Sequence, residues 1–134
     1  MPWRLLLVEG DLRERELLKE YLSLAGYVVQ SAETGTLALK LAVAQPPDLL
    51  LLDLHLPDMD GYEVCRLLRQ EPQTQDVPVV IVTESEELTL HRQAYAAGAQ
   101  ACVPKPVRQP ALVATIEAVL AGARRKKATA ATRD

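Results

Sequence analysis

Short apolar runs alternate with amphipathic stretches along most of this chain. The apolar runs have the length of β-strands and cover residues 4–8, 27–32, 48–53, 78–83 and 99–103. Each is followed by a stretch with helical spacing of its apolar residues, at 12–25, 35–45, 62–70, 86–97 and 110–121. The chain therefore reads as five strand–helix units, a (βα)5 alternation.

The strands are apolar throughout rather than alternating between apolar and polar positions. This pattern predicts a parallel sheet that is covered by helices on both faces. In such doubly wound sheets, ligands bind beyond the carboxyl ends of the strands. We therefore expect the ligand-binding residues in the segments that follow the strands, at 9–11, 53–55, 83–85 and 104–106.

The length and the charge distribution limit the number of domains and the partners that this chain can have. The 134 residues fit one domain of residues 1–121, followed by a basic, flexible tail or linker stub at 122–134. Residues 124–134 carry a net charge of +4 and residues 1–123 a net charge of −7, which disfavours nucleic acid as a direct partner. The chain lacks a signal peptide and an apolar run long enough to cross a membrane, so we expect a cytoplasmic protein.

Charged and hydroxyl side chains mark four of the predicted strand ends. Glu9, Asp11 and Asp53 follow or end the first and third strands, and such carboxylates repel one another unless a hard cation such as Mg²⁺ binds between them. Thr83 ends the fourth strand and Lys105 follows the fifth. A carboxylate, a cation site, a hydroxyl and an ammonium together predict a phosphoryl-handling site, with Asp53 as the nucleophile.

These motifs resemble the receiver domain of two-component response regulators, the domain type of the chemotaxis protein CheY. The block DLLLLDLHLPDMDG, from residue 48 to 61, resembles the acceptor block of that family, with Asp53 as the acceptor. Thr83 lies at the switch Ser/Thr position, and Lys105-Pro106 in GAQACVPKP matches the Lys-Pro pair. The resemblance implies a flavodoxin-like doubly wound fold, with a parallel five-stranded sheet in the order 2-1-3-4-5, and a cis bond before Pro106.

The resemblance also implies a function, that of a signalling module rather than an enzyme. A histidine kinase or histidine phosphotransfer protein would phosphorylate Asp53, and the last two helices would pass the signal to a partner protein or form a homodimer. Mg²⁺ would bind to Glu9, Asp53 and the backbone carbonyl of His55. Asp11 is a further candidate ligand, although its position favours an acid at a helix N-terminus over a metal ligand.

Three positions depart from the family pattern. Gly10 replaces an expected acid, so Mg²⁺ binding should be weak. Glu84 replaces a small residue after the switch Thr, and Cys102 replaces the switch aromatic. These departures leave a pseudo-receiver open, a phosphorylation-independent protein–protein interaction module. A flavin-binding electron carrier needs a Gly-rich loop after the first strand, where this chain has EGDLRER, and 13 residues after the last helix cannot hold a helix-turn-helix.

Overall fold

Strands and helices alternate from the first strand to the last helix in the computed structural model, which describes residues 2–84 and 88–131. In order along the chain the elements are β1 (Arg4–Val8), α1 (Leu12–Leu24), β2 (Val28–Ala32), α2 (Gly35–Ala44), β3 (Leu49–Asp53), α3 (Gly61–Gln70), β4 (Val79–Thr83), α4 (Leu88–Ala96), β5 (Ala101–Pro104) and α5 (Gln109–Ala131). All five predicted strands and all five predicted helices are present, most of them within two residues of the expected bounds.

The five strands form one parallel sheet in the order β2-β1-β3-β4-β5. The prediction of a doubly wound sheet in the order 2-1-3-4-5 is confirmed. β3 lies at the centre of the sheet, and all five of its residues are buried. Because every strand runs in the same direction, the carboxyl ends of β1, β3, β4 and β5 meet at one edge.

Successive residues of the central strands enter two separate apolar clusters. Leu49 and Leu51 of β3 face one side of the sheet, where α1 and α5 cover them. Leu50 and Leu52 face the other side, where residues of α2, α3 and α4 complete the cluster. Side chains alternate between the two faces of a strand, so a strand that is buried on both faces must be apolar at every position. This explains the unbroken run LLLL.

Side-chain caps start three of the helices close to the strand ends. Asp11 accepts a hydrogen bond from the backbone N–H of Arg13 (3.0 Å) at the start of α1. Thr34 caps α2 and Asp60 caps α3 in the same way. Such caps satisfy N–H groups that the first helical turn leaves unpaired. The capping box that Thr83 and Glu86 could form lies outside the described residues.

The last helix is longer than its apolar pattern predicted. The apolar pattern predicts a helix that ends at residue 121 and a flexible tail from 122, whereas α5 continues through Ala131. Apolar periodicity stops at the edge of the core, but the segment ARRKKATAA consists mainly of residues with high helix propensity, which carry the helix onward. Arg124 stacks over the ring of Trp3 at 5.1 Å, a cation–π contact that fixes this part of α5 to the N-terminal segment.

No helix within residues 2–84 and 88–131 is both long enough and apolar enough to cross a bilayer.

Candidate functional site

The strand order places four candidate residues at the carboxyl edge of the sheet, where the sequence predicted them. Glu9 directly follows β1, Asp53 ends β3, Thr83 ends β4 and Lys105 directly follows β5. The backbone N–H of Lys105 donates to the carbonyl oxygen of Thr83 (2.8 Å), which sets the start of the loop after β5. The peptide bond between Lys105 and Pro106 is cis, as predicted. Glu9, Asp53 and Thr83 are all buried, with 6% or less of their surface exposed.

The ammonium group of Lys105 lies among three carboxylates. Its Nζ atom is 3.5 Å from Oδ1 of Asp53, 3.4 Å from Oε2 of Glu9 and 2.5 Å from Oε2 of Glu14. Burial lowers the pKa of Lys105, but the hydrogen bond to Glu14 and the charges of Asp53 and Glu9 outweigh that effect and raise it overall. Lys105 is therefore a cation throughout the physiological pH range.

The pKa of Glu9 is strongly perturbed. Burial raises it from 4.5 to about 7, and the neighbouring charge of Asp53 acts in the same direction. The N–H of Asp11, which donates to Oε1 of Glu9 (3.1 Å), and the charge of Lys105 oppose the rise only in part. Without further positive charge, Glu9 is close to half-protonated near neutral pH.

Glu14 is the residue that sequence reasoning missed. It lies in the first turn of α1, and one carboxylate oxygen each from Glu14, Glu9 and Asp53 lie within 4.8 Å of one another. The available signal was an acid three residues after the cap at Asp11, one turn into the helix that follows β1. Such an acid is usually explained by its favourable interaction with the helix dipole. That explanation gives no reason to expect a contact across the edge of the sheet.

Asp11 does not join this group. Its side chain is exposed and caps α1. The structure therefore favours the alternative that the sequence left open, an acid at a helix N-terminus, over the expectation that Asp11 binds the metal.

The loop after β3 brings the His55 carbonyl next to Gly10. A Cβ atom on Gly10 would lie 3.9 Å from that oxygen and 3.0 Å from Cδ of Pro57. The expected ligand from His55 and the missing acid at Gly10 therefore belong to the same side of the site. The His55 side chain itself is exposed.

Two further residues hold the same loop in place. Gly61 approaches β3 so closely that a Cβ atom there would lie 2.7 Å from the carbonyl oxygen of Asp53. Asp58 accepts hydrogen bonds from the hydroxyl of Thr36 (2.6 Å) and from the backbone N–H groups of Thr36 (2.9 Å) and Gly35 (2.8 Å). These bonds, that of the hydroxyl first, lower the pKa of Asp58 to about 2. The acceptor loop is thus fixed to β3 and to the start of α2.

The acidic group fits a hard divalent cation. Oδ1 of Asp53 is buried and has no hydrogen-bond partner within the described part of the chain. An ionised carboxylate oxygen in that position is unfavourable unless a cation or a donor completes it. Carboxylate and carbonyl oxygens are the ligands that Mg²⁺ takes. Glu9, Glu14 and Asp53 each offer one carboxylate oxygen to such an ion.

One of the three departures from the family pattern, the exposed Glu84, lines a surface pocket of about 720 Å³. Thr83 and Tyr62 are also among the residues that line it. Cys102 is half-buried and, like Tyr62, packs against the apolar cluster on this side of the sheet. Burial raises the pKa of the Cys102 thiol, so this position behaves as a small apolar group.

Comparisons with known proteins agree on the nature of the chain. The family model of the response regulator receiver domain matches residues 5–117. The response regulator MprA of Mycolicibacterium vanbaalenii is 38% identical over 120 residues, which are 90% of this chain and 51% of that protein. RpaA of Synechocystis, named as a DNA-binding dual master transcriptional regulator, is 37% identical over 120 residues, 90% of this chain and 49% of its own length. The chain thus spans about half the length of these relatives.

A solved structure shows the same fold. The receiver domain of the sensor histidine kinase PA1611 from Pseudomonas aeruginosa superposes with a TM-score of 0.84 at 25% identity, covering 90% of this chain and 99% of that one. That structure contains a magnesium ion coordinated in its active-site cleft.

Proposed function

This chain belongs to the response regulator receiver domain family, and we propose that it accepts a phosphoryl group on Asp53 within a cytoplasmic His-Asp phosphorelay. One observation carries the proposal. A buried carboxylate oxygen of Asp53 has no hydrogen-bond partner among the described residues, yet it lies 3.5 Å from the ammonium group of Lys105. The oxygen is thus available to form a bond, next to a cation that can neutralise the incoming group.

The transfer step follows from the positions of three side chains. A carboxylate oxygen of Asp53 forms a bond to phosphorus while the bond between phosphorus and the imidazole nitrogen of a phosphohistidine donor breaks, and that nitrogen keeps the electron pair. Lys105 neutralises charge on an oxygen of the transferred group. The hydroxyl of Thr83, at the end of the neighbouring strand, donates a hydrogen bond to another.

We propose Mg²⁺ as the metal, held by Glu9, Asp53 and the backbone carbonyl of His55. When bound, the ion supplies the positive charge that an anionic nucleophile and an anionic donor need between them. Gly10 contributes no side chain, so we expect this affinity to be lower than that of a receiver with two adjacent acids. The magnesium ion in the PA1611 receiver supports the choice of metal.

The output of the domain is also a proposal. Phosphorylation at the carboxyl edge would shift β5, α4 and α5, and that change would be read by a partner protein or by a second copy of the domain through α4 and α5. We propose that the chain acts as a single-domain receiver in this way and does not contact nucleic acid directly. The relatives are about twice as long as this chain.

Intact mass spectrometry after incubation with acetyl phosphate and Mg²⁺ tests the proposal. The wild-type protein should gain the mass of one phosphoryl group, whereas Asp53→Asn should gain none. The Asn side chain keeps the size of Asp53, but its amide is uncharged and cannot form an acyl phosphate. Equal labelling of both proteins would place the acceptor elsewhere.

A phosphorylation-independent pseudo-receiver is the second candidate. Gly10, Glu84 and Cys102 favour it, because each removes or opposes a feature that the phospho-switch uses. Under this alternative the wild type stays unlabelled at saturating Mg²⁺ with a phosphorylated histidine donor, and Gly10→Asp stays unlabelled too. Labelling of Gly10→Asp alone would instead show that the acceptor is competent and that the cation site limits it.

A further inference from the structure

Glu14 reaches from the first turn of α1 to a residue 91 positions away in sequence. Its carboxylate binds the ammonium group of Lys105 at 2.5 Å, while 37% of its side chain stays exposed. An acid in a first helical turn ordinarily interacts with the N-terminus of its own helix. This one is directed instead over the edge of the sheet, into the group formed by Glu9 and Asp53.

The buried group has more negative than positive charge. Glu9, Glu14 and Asp53 bring three carboxylates together, and among the described side chains Lys105 is the cation that ion-pairs with them. Arg15 is nearby, but its Nη1 atom donates to the backbone carbonyls of Glu9 (2.9 Å) and Gly10 (3.5 Å) instead.

The Asp53 oxygen that lacks a hydrogen bond, although Lys105 lies 3.5 Å from it, points to a further cation. Oδ1 is buried within this group and has no hydrogen-bond donor in the part of the chain that the structure describes. A second cation at this position would be coordinated by that oxygen and would also offset the excess negative charge.

The spacing of the carboxylates suits a hard ion after a small adjustment. Oxygen atoms around Mg²⁺ lie ~3.0 Å apart on adjacent sites and ~4.2 Å apart on opposite sites, given its octahedral geometry. The three carboxylate oxygens now lie within 4.8 Å of one another. Glu14 has the most exposed of the three side chains and can move to close the difference.

We propose that Glu14 supplies a third carboxylate to the cation site, directly or through a bound water, and that it exchanges Lys105 for the cation when the ion binds. It thereby compensates for the acid that Gly10 lacks. The exchange also frees an N–H of Lys105 for the transferred phosphoryl group. This proposal rests on the proposed function, because it concerns the same site.

Isothermal titration calorimetry with Mg²⁺ tests the inference on the whole chain. Glu14→Gln keeps the size of the side chain and removes its charge, and we expect it to weaken Mg²⁺ binding on the order of tenfold. Glu16→Gln is the matched control, since Glu16 is an exposed acid on the same helix. The control should stay within about twofold of wild type, because distant exposed charges are screened.

Thermal unfolding with and without Mg²⁺ gives an independent readout. Wild type should gain stability from the ion and Glu14→Gln should gain less, because the stabilisation by a bound ion grows with the logarithm of one plus the ratio of the Mg²⁺ concentration to Kd. Similar melting temperatures of the two proteins without metal would show that Glu14→Gln is folded. If Glu14→Gln unfolds at a lower temperature, Glu14→Asp is used in its place, and it should keep part of the Mg²⁺ affinity.

Three outcomes would overturn the inference. Unchanged Mg²⁺ affinity in Glu14→Gln would mean that Glu14 serves Lys105 alone. Tighter binding would mean that Glu14 competes with the site, and a wild type without measurable affinity would leave no site to complete. Labelling of Asp53 separates this inference from the proposed function: if Glu14→Gln binds Mg²⁺ as wild type does and is still phosphorylated, only the role of Glu14 fails.

Discussion

Replacing Glu9 by glutamine should stabilise the metal-free protein above neutral pH and change it little in mild acid. Glu9 is almost completely buried, and burial raises its pKa from 4.5 to about 7. The glutamine side chain can still accept the hydrogen bond that the N–H of Asp11 donates to Oε1. The variant therefore removes the ionisation and keeps this hydrogen bond, while it gives up the ion pair between Oε2 and Lys105 (3.4 Å).

The sign of the effect follows from proton binding in the two states. Below about pH 4.5 the carboxyl group is protonated in both the folded and the unfolded chain, so it contributes nothing to the pH dependence. Between about pH 4.5 and 7 the unfolded chain releases a proton that the folded protein keeps, and the free energy of unfolding falls as pH rises. Above that range the loss is complete and constant.

The magnitude follows from the same two pKa values. The free energy of unfolding should be lower by on the order of 3 kcal/mol at about pH 8, and by less than about 1 kcal/mol at about pH 5. Glu9→Gln should recover most of that difference. Added Mg²⁺ should recover it in the wild type, because the ion binds the ionised carboxylate.

Urea denaturation followed by far-UV circular dichroism, in the presence of a chelator, measures this directly. Wild type, Glu9→Gln and the exposed control Glu16→Gln are compared at several pH values between about 5 and 8. The reasoning is refuted if the difference between wild type and Glu9→Gln does not grow with pH, or if Glu16→Gln reproduces it.

Three further substitutions test the surroundings of the site. Gly10→Asp should tighten Mg²⁺ binding about tenfold in a calorimetric titration, because it restores a carboxylate beside the ion, and unchanged affinity would mean that another group already fills the place. Gly61→Ala should lower the free energy of unfolding by about 1–3 kcal/mol in urea, because its Cβ atom would lie 2.7 Å from the carbonyl oxygen of Asp53; full stability would show that the loop is more adaptable than its geometry indicates. Glu84→Ala should speed labelling by acetyl phosphate about twofold at low ionic strength and less at high salt, and a salt-independent gain would point to a steric cause.

The fold was accessible from the sequence because both faces of the sheet are buried. A run such as LLLL in β3 has no polar position to interrupt it, and the turn residues and helical spacing around it divided the chain correctly. The end of α5 was not accessible in the same way. Its apolar pattern stops where the core stops, whereas the helix continues on propensity and on the contact between Arg124 and Trp3.

The candidate site was predictable to the extent that strand ends determine it. Asp53, Thr83 and Lys105 lie at or beside the last residues of their strands, so the topology alone brings them together. Glu14 lies on a helix, where the direction and reach of a long side chain decide what it contacts. No spacing rule gives that direction, so its ion pair with Lys105 could be recognised only in three dimensions.

The length of α5 has a mechanical consequence. Leu120 is the last residue of this helix in the apolar cluster beneath it, and Arg124 still contacts Trp3 one turn later. Beyond Arg124 the helix continues for 7 residues to Ala131, which at ~1.5 Å per residue is ~10 Å. A tilt of α5 by ~10° about Arg124 would therefore move its far end by ~2 Å. Small angular changes near the sheet would thus become larger displacements at the end of the helix.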